Sequence, residues 1–320
     1  MATIQDMGRY GFLSQAVPVS GAMDILSARI ANICLGNDNN AAVIEFTYSG
    51  AQFKTETDAL MAWSGEGATF VAGDKKIPPD RPVFIPEGTI VSLNNNTSGS
   101  RTYLAVAGGW DVPMVLGSRS TYITAAIGGL QGRALQAGDV LESMAQANPL
   151  TGAILNALKG KGFHYAEWSI HKDLLLPVGR KQVRVVPAHE FTWFNGESLT
   201  RFLSEPYTLS HNSNKMGYHL EGALIGRLVK GELLSTAVTP GTIQVTGNGS
   251  MVLLMADCQT TGGYPRIAQV IAVDMPLCAQ LKPGDTLYFE EISREDAETL
   301  YIEREQELDK LTKAIRNKFL

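Results

Sequence analysis

Between Ala42 and Ala107 the apolar residues fall in short runs, VIEFTY, AQFKT, ALMAWSG, ATFVAG, VFIP, TIVSLN and TYLAVAGG, with turn-forming residues between them. Closely spaced short runs predict an antiparallel sandwich or barrel, because βαβ units would place helix-length patterns between the strands. The second half repeats this texture in VRVVP, FTWF, YTLS, ELLS, TIQV, MVLLMA, RIAQVIAV and LYFEE. Helical spacing is rarer. Met23, Leu26, Ile30 and Ile33 recur on one helical face, with Gly36 where a C-terminal cap belongs. The segment Leu150 to Leu158 predicts a short helix. From Ser293 to Leu320 a longer one is expected, with Ser293 as N-cap, Asp296 at the capping-box position, and Leu308, Leu311, Ile315 and Phe319 on one face. The pattern is that of a mainly β protein with a few short helices and a C-terminal helix.

Leu135-Gln136-Ala137-Gly138-Asp139-Val140-Leu141 closes the first half, and Leu281-Lys282-Pro283-Gly284-Asp285-Thr286-Leu287 recurs near the end of the second. A Gly-Asp turn feeding a final strand at the close of each half favours two similar lobes. The expected organisation is a lobe over 1–145, a linker over 146–165, a second lobe over 166–292 and a helix over 293–320. At the N-terminus, Thr3-Ile4-Gln5-Asp6 is too short for a complete strand before Gly8-Arg9-Tyr10-Gly11, so the chain is expected to begin inside an element.

Composition narrows the function. With 44% apolar and 18% charged residues in 320, the chain can bury a full core without staples. A formal charge of −5 argues against a nucleic-acid or anionic-membrane surface. The three cysteines have no CxxC spacing, so neither a disulfide framework nor a zinc ribbon is indicated, and a reducing cytoplasm fits. No stretch approaches the roughly 18 apolar residues of a membrane span, and no secretory signal is apparent. Walker A, GxGxxG, GxSxG and HExxH patterns do not occur, and the five histidines show no metal-ligand spacing. No metal is expected.

The stretch Met251 to Asp274, MVLLMADCQTTGGYPRIAQVIAVD, carries the candidate chemistry. Two apolar runs bracket a loop dense in hydrogen-bonding groups, with adjacent glycines suited to positive φ or close approach. A tight hairpin is the plain alternative. Asp257, beside Gln259, Thr260 and Thr261, is the best candidate for binding a small polar amide or acid. Ser210 to Gly222 reads as a second polar loop. In it, Asn214 and Lys215 are candidate binding residues, Lys215 as the positive charge for a carboxylate, phosphate or carboxylated group. His211 and His219 of that loop are possible acid-base groups, though more naturally surface residues. A buried Asn32 near the end of the first helix is expected to satisfy backbone groups.

Taken in order, Thr3-Ile4-Gln5-Asp6-x-Gly8-Arg9-x-Gly11, Val17-Pro18-x-Ser20-Gly21-Ala22-Met23-Asp24, Ala31-Asn32 with Gly36-Asn37, Ala107-Gly108-Gly109-x-Asp111-Val112-Pro113, Leu116-Gly117-Ser118-Arg119-Ser120, Met216-Gly217-Tyr218-x-Leu220-Glu221-Gly222 and Gln259-Thr260-Thr261-Gly262-Gly263-Tyr264-Pro265 form one set. From about Thr3 to Phe289 the chain resembles the biotin-dependent carboxyltransferase family of the allophanate hydrolase subunit 2 / KipA type. The resemblance implies two cyclophilin-like β-barrel lobes and a homologous, KipI-like partner protein, the B component of a 5-oxoprolinase. It further implies, together with that B component and an A component, ATP-driven cleavage of 5-oxo-L-proline to L-glutamate. Its other branches imply transfer of a carboxyl group from biotin to urea or a related amide, or binding of a kinase inhibitor. Matched by position, Asn32 and Asp257 are where relatives would contact the amide, with Gln259, Thr260, Thr261 and Tyr264 shaping the pocket. Three departures stand out. A strand before Thr3, usual in the family, is expected to be missing and to leave an open edge; Lys215 and His219 stand where relatives commonly carry Arg; and Pro187-Ala188-His189-Glu190 replaces a Gly-Pro turn. No Met-Lys-Met hairpin occurs, so biotin would arrive on another protein, and ATP would bind with a partner protein.

Overall fold

The computed structural model describes residues 1–144, 148–160, 162–176, 180–229, 231 and 233–320. It divides into two units, Met1–Arg9 with Asp24–Leu175 and Gln306–Leu320, and Tyr10–Met23 with Leu176–Glu305.

Among the described residues, ten strands belong to the first unit: β1 (Ala2–Gln5), β2 (Val43–Thr47), β3 (Gln52–Lys54), β4 (Ala59–Gly65), β5 (Ala68–Ala72), β6 (Lys75–Lys76), β7 (Val83–Ile85), β8 (Ile90–Asn95), β9 (Arg101–Val106) and β10 (His164–Tyr165). They form a six-stranded sheet, β1-β2-β9-β4-β7-β10, and a four-stranded sheet, β3-β8-β5-β6. The mainly β reading holds, although here the strands make two sheets where a barrel was expected. Helix α1 (Ile25–Leu35) packs across β4 and β9. Every residue of β9 is buried, as is proper to a strand covered on both faces. Trp63 and Phe70 pack in this unit's core with ring centroids 5.0 Å apart and planes tilted by 33°. Asp24 caps α1 by accepting from Ser27 N–H, and Gly36, at φ 69°, ends it as expected.

The expectation of an open N-terminal edge is corrected. Ala2–Gln5 is a strand paired antiparallel to β2, Thr3 opposite Glu45 and Ile4 opposite Ile44. Its outer edge is occupied, because Leu135 N–H donates to Ala2 O and Thr121 N–H to Ile4 O, both at 2.8 Å. Immediately after it, the buried Asp6 carboxylate accepts from the Ser118 and Ser120 hydroxyls and from the amides of Gly8 and Arg119. Arg9, fully buried, donates to Ser120 O. Two motifs more than a hundred residues apart therefore meet at one carboxylate, which explains their residue types as structural.

The expected linker over 146–165 behaves otherwise; of it, 146, 147 and 161 lie outside the described residues. Its remainder supplies helix α2 (Pro149–Leu158), as the helical spacing predicts, and β10 to the first unit. Both LxxGDxL segments make the same turn. Asp139 accepts from Gln136 N–H at 2.7 Å and Asp285 from Lys282 N–H at 2.8 Å, with Gly138 at φ 94° and Gly284 at φ 90°. The Arg133 guanidinium, bound to both oxygens of Asp139, holds that carboxyl down at about 2. Only the second turn feeds a strand, since 140–142 are not in one.

Asp80 stands apart in this unit. It occupies the left-handed region at φ 56°, and burial pushes its carboxyl above the usual range, with Ser64, Lys172 and Arg81 opposing that shift. The stability this group contributes is present below the ordinary Asp value and is lost as pH rises through the raised one. Asp80→Asn removes the ionisation and suits the left-handed backbone. Its melting temperature is expected to exceed wild type at pH 8 and the gap to narrow by pH 4. A gap that widened toward pH 4 in thermal melts would refute this account.

The second unit contains β11 (Gln182–Pro187), β12 (Tyr207–Leu209), β13 (Gly217–Glu221), β14 (Thr236–Ala237), β15 (Thr242–Val245), β16 (Met251–Leu254), β17 (Thr261–Gly262), β18 (Arg266–Val270) and β19 (Thr286–Glu291). Seven of them close a barrel in the order β11-β18-β15-β16-β13-β12-β19. Its ladders are antiparallel except the closing pair, where β11 and β19 run parallel with Val183 opposite Phe289. Val185, Tyr218, Leu253 and Ile267 point inward, and Phe202 of α3 (Gly196–Ser204) stacks on Phe289 at 4.8 Å. Helices α4 (Met275–Gln280) and α5 (Arg294–Phe319) follow. On α5, Ser293 Oγ accepts from Asp296 N–H at 3.0 Å, and Leu308 and Ile315 are the buried residues of the expected face.

Two strand expectations fail here and one is reversed. FTWF forms a single helical turn, Phe191–Trp193. Of ELLS, residue 232 lies outside the described residues and 233–235 are not in a strand. The supposed loop Ser210 to Gly222, by contrast, contains β13, where buried Tyr218 and Leu220 alternate with exposed His219 and Glu221. That alternation is a strand signal that the flanking polar residues conceal. His219 faces outward on it, consistent with a surface histidine.

Candidate functional site

Asp257 lies three residues beyond the end of β16, whose partner across the ladder is β13. The pairing continues past both strand ends: Met255 N–H donates to Met216 O at 3.0 Å and Asp257 N–H to Lys215 O at 2.9 Å. This prolonged ladder sets the two side chains next to each other, with Lys215 Nζ 3.8 Å from Asp257 Oδ1. Asn214 holds the approach, its Oδ1 accepting from Met216 N–H at 2.8 Å, so its role is to shape the turn that presents Lys215. Only 10% of the Asp257 side chain and 14% of that of Lys215 remain exposed, which restricts any ligand to a small group meeting them edge-on.

A third group completes the cluster. Ser20 Oγ donates to Asp257 Oδ1 at 2.5 Å, from a buried position in the Tyr10–Met23 segment of the same unit. Sequence reasoning missed Ser20 as a site residue; its signal was its place in the VPxSGAMD motif. Cys258, the next residue, is no nucleophile: burial, then the Asp257 charge, pushes its thiol up to about 12.

The loop after Asp257 is not a hairpin. Strands β16 and β18, which bracket it, both pair with β15 and not with each other. Within it, β17 pairs with β14, Thr261 opposite Ala237, and Val238 N–H donates to Thr260 O at 3.0 Å. Gln259 Nε2 reaches Gln244 Oε1 at 3.4 Å, and Gln244 Nε2 reaches Tyr264 O at 3.3 Å. Gln244, buried in the apolar run TIQV, is thus the residue around which Gln259 and Tyr264 gather, and a polar residue inside such a run was the available signal. Gly262 is favoured by crowding and not by φ, because a Cβ there would meet Gln244 Nε2 at 2.4 Å and push that side chain off its partners. The Tyr264 ring is half exposed. At the start of β18, Arg266 grips the buried Glu190 through two 2.7 Å bonds, which anchor the PAHE segment at this edge and hold the Glu190 carboxyl below the usual range.

Asn32 belongs to the first unit and is fully buried. Its Nδ2 donates to Ala41 O at 2.9 Å and its Oδ1 accepts from Asn37 Nδ2 at 3.0 Å, the backbone-satisfying role its position predicts. Asn37 in turn donates to Val106 O and accepts from Gly108 N–H, so these motif residues form one structural knot.

Comparison with known proteins places the whole chain in a family. The model of the carboxyltransferase domain, subdomain A and B, matches residues 15–291. The chain belongs to the carboxyltransferase domain family. It is 37% identical to the C component of 5-oxoprolinase from Escherichia coli over 295 residues, 92% of this chain and 89% of that one. With the corresponding 5-oxoprolinase C component of Haemophilus influenzae it shares 34% identity over 99% of this chain and 96% of the relative. The crystal structure of the Kluyveromyces lactis urea carboxylase superposes with a TM-score of 0.85 at 29% identity, over 97% of this chain and 28% of that much longer one.

Two properties of this carboxyltransferase-domain protein bear on cofactors. Lys215 is held against Asp257 in a turn shaped by Asn214, so this lysine does not fit the presented lysine of a biotin-attachment site. Among the described residues no cluster of His, Cys, Asp and Glu suits a metal ion. The three cysteines are free and buried, and no described helix is long and apolar enough to cross a membrane.

Proposed function

We propose that this chain is the C component of an ATP-dependent 5-oxoprolinase, acting in the cytoplasm with the A and B components to cleave 5-oxo-L-proline to L-glutamate. The observation that carries this reading is end-to-end likeness to two bacterial proteins of that name, each covered over about nine-tenths or more of its length.

The chemistry of the cluster is compatible. A lactam offers one N–H donor and one carbonyl acceptor, and 5-oxo-L-proline adds a carboxylate. Asp257 accepts the ring N–H, while the Lys215 ammonium pairs with an oxygen of the substrate. The substrate carboxylate is repelled by Asp257 and attracted by Lys215, and the two charges together set one orientation. Gln259, Thr260, Thr261 and Tyr264 line the entrance on this reading. ATP supplies the driving force for opening a stable amide and is placed with a partner protein; the chain has no Walker A loop to cradle phosphates.

The second reading, a carboxyltransferase half acting on urea or a related amide with biotin supplied on another protein, is favoured by the likeness to the urea carboxylase structure. Both readings place an amide at Asp257. Reconstitution of the chain with its own A and B components separates them. Expected is ATP hydrolysis that depends on 5-oxoproline and on all three components. Absence of that activity in a mixture that still associates would overturn the assignment, and urea-dependent decarboxylation of a carboxybiotin carrier would favour the second.

A further inference from the structure

Residues Tyr10–Met23 belong with the barrel, although the chain on either side of them belongs to the first unit. The outer part of this excursion, from Tyr10 to Ala16, is exposed except for the half-buried Phe12, whereas Ser20, Gly21, Ala22 and Met23 are buried and Met23 sits in the barrel core. At its inner end Ser20 takes φ 57°, a left-handed conformation that disfavours any residue with a Cβ, and Gly21 follows at φ 91°. Strain of that kind persists where the surroundings over-determine it, and here it aims one hydroxyl at one carboxylate oxygen, 2.5 Å away. A merely structural turn at this position would be better served by glycine.

We infer that Ser20 is a positioning residue for Asp257: the excursion delivers its hydroxyl to Oδ1, fixing the carboxylate rotamer in which Asp257 meets the amide. Lys215, 3.8 Å from the same oxygen, approaches from the opposite chain of the ladder, so the carboxylate is oriented from two independent segments. The inference rests on the reading of Asp257 as the amide-binding group.

Two substitutions separate positioning from folding, because they change strain and hydroxyl in opposite senses. Ser20→Gly relieves the left-handed backbone and deletes the donor; Ser20→Thr keeps the donor and adds a β-branch that worsens the strain. In the reconstituted complex, Ser20→Gly is expected to lower kcat on the order of 10- to 100-fold with KM changed less than about threefold. Ser20→Thr is expected to melt at a lower temperature than Ser20→Gly and yet retain most of kcat. If activity instead follows melting temperature across the two variants, or Ser20→Gly is as active as wild type, the inference fails. Asp257→Asn, assayed in parallel, tells the two failures apart. An active Asp257→Asn complex sinks the reading of the site itself, whereas an inactive one beside a fully active Ser20→Gly sinks the role of Ser20 alone.

Discussion

Asp257→Asn is expected to abolish substrate-dependent turnover of the reconstituted complex, by at least about 100-fold in kcat/KM, while leaving the chain folded and associated. The substitution keeps the shape of the side chain but replaces a charged acceptor with a group that offers one acceptor and two donors. Ser20 can still donate to the amide oxygen, so the local fold is retained; the ammonium of Lys215 loses its counter-charge 3.8 Å away, and the substrate N–H loses a charge-assisted bond. Asp257→Ala is less informative, since it leaves the buried Ser20 hydroxyl without its acceptor and lowers stability together with activity. Steady-state kinetics with a circular-dichroism melt decide the matter: activity within about threefold of wild type in a folded Asp257→Asn would move the site elsewhere.

Asp274→Ala should give a large loss of stability with no direct part in chemistry. This carboxylate is fully buried and accepts from Arg184 N–H at 2.8 Å, Arg184 Nε at 3.0 Å and Arg184 Nη2 at 2.7 Å, with the Arg180 guanidinium also in contact. Both arginine side chains are four-fifths buried, so removing Asp274 strands two guanidinium groups beside the barrel and frees the start of α4 from β11. Breaking such a pair by deleting one partner costs about 3 kcal/mol or more. Urea unfolding should show the midpoint falling sharply at neutral pH; a change under about 1 kcal/mol would mean water replaces the carboxylate there.

How much of this was legible beforehand differs by element. The strand runs from VIEFTY to TYLAVAGG, the α1 spacing with its Gly36 cap, the α2 segment and the capped C-terminal helix were all readable, because each depends on periodicity and end chemistry within a dozen residues. FTWF failed for the same reason in reverse, since four aromatic and β-branched residues look like a strand while Glu190 and Arg266, far apart in sequence, hold them as a helical turn. β13 was hidden among polar neighbours until its alternation found a partner in β16. The first strand, judged too short alone, is completed by β2 and by two backbone bonds from residues beyond position 120.

At the site, Asp257 and Lys215 could each be named from residue type and flanking turns. Their adjacency could not, because it depends on the β13–β16 register running past both strand ends, and register is settled by burial of Tyr218, Leu220, Leu253 and their neighbours in one barrel core. For Ser20 the motif VPxSGAMD marked the residue but not its partner, since its hydroxyl meets Asp257 across 237 positions of chain. By itself, then, the sequence determined the mainly β class, the helices, the turn chemistry and, through its motifs, the family; these are local or pattern properties. The tertiary structure alone decided which unit closes into a barrel, the pairing of Lys215 with Asp257 and the arrival of Ser20. Each of those is a contact between distant segments whose free energy comes from burying a shared core, and no local pattern encodes it.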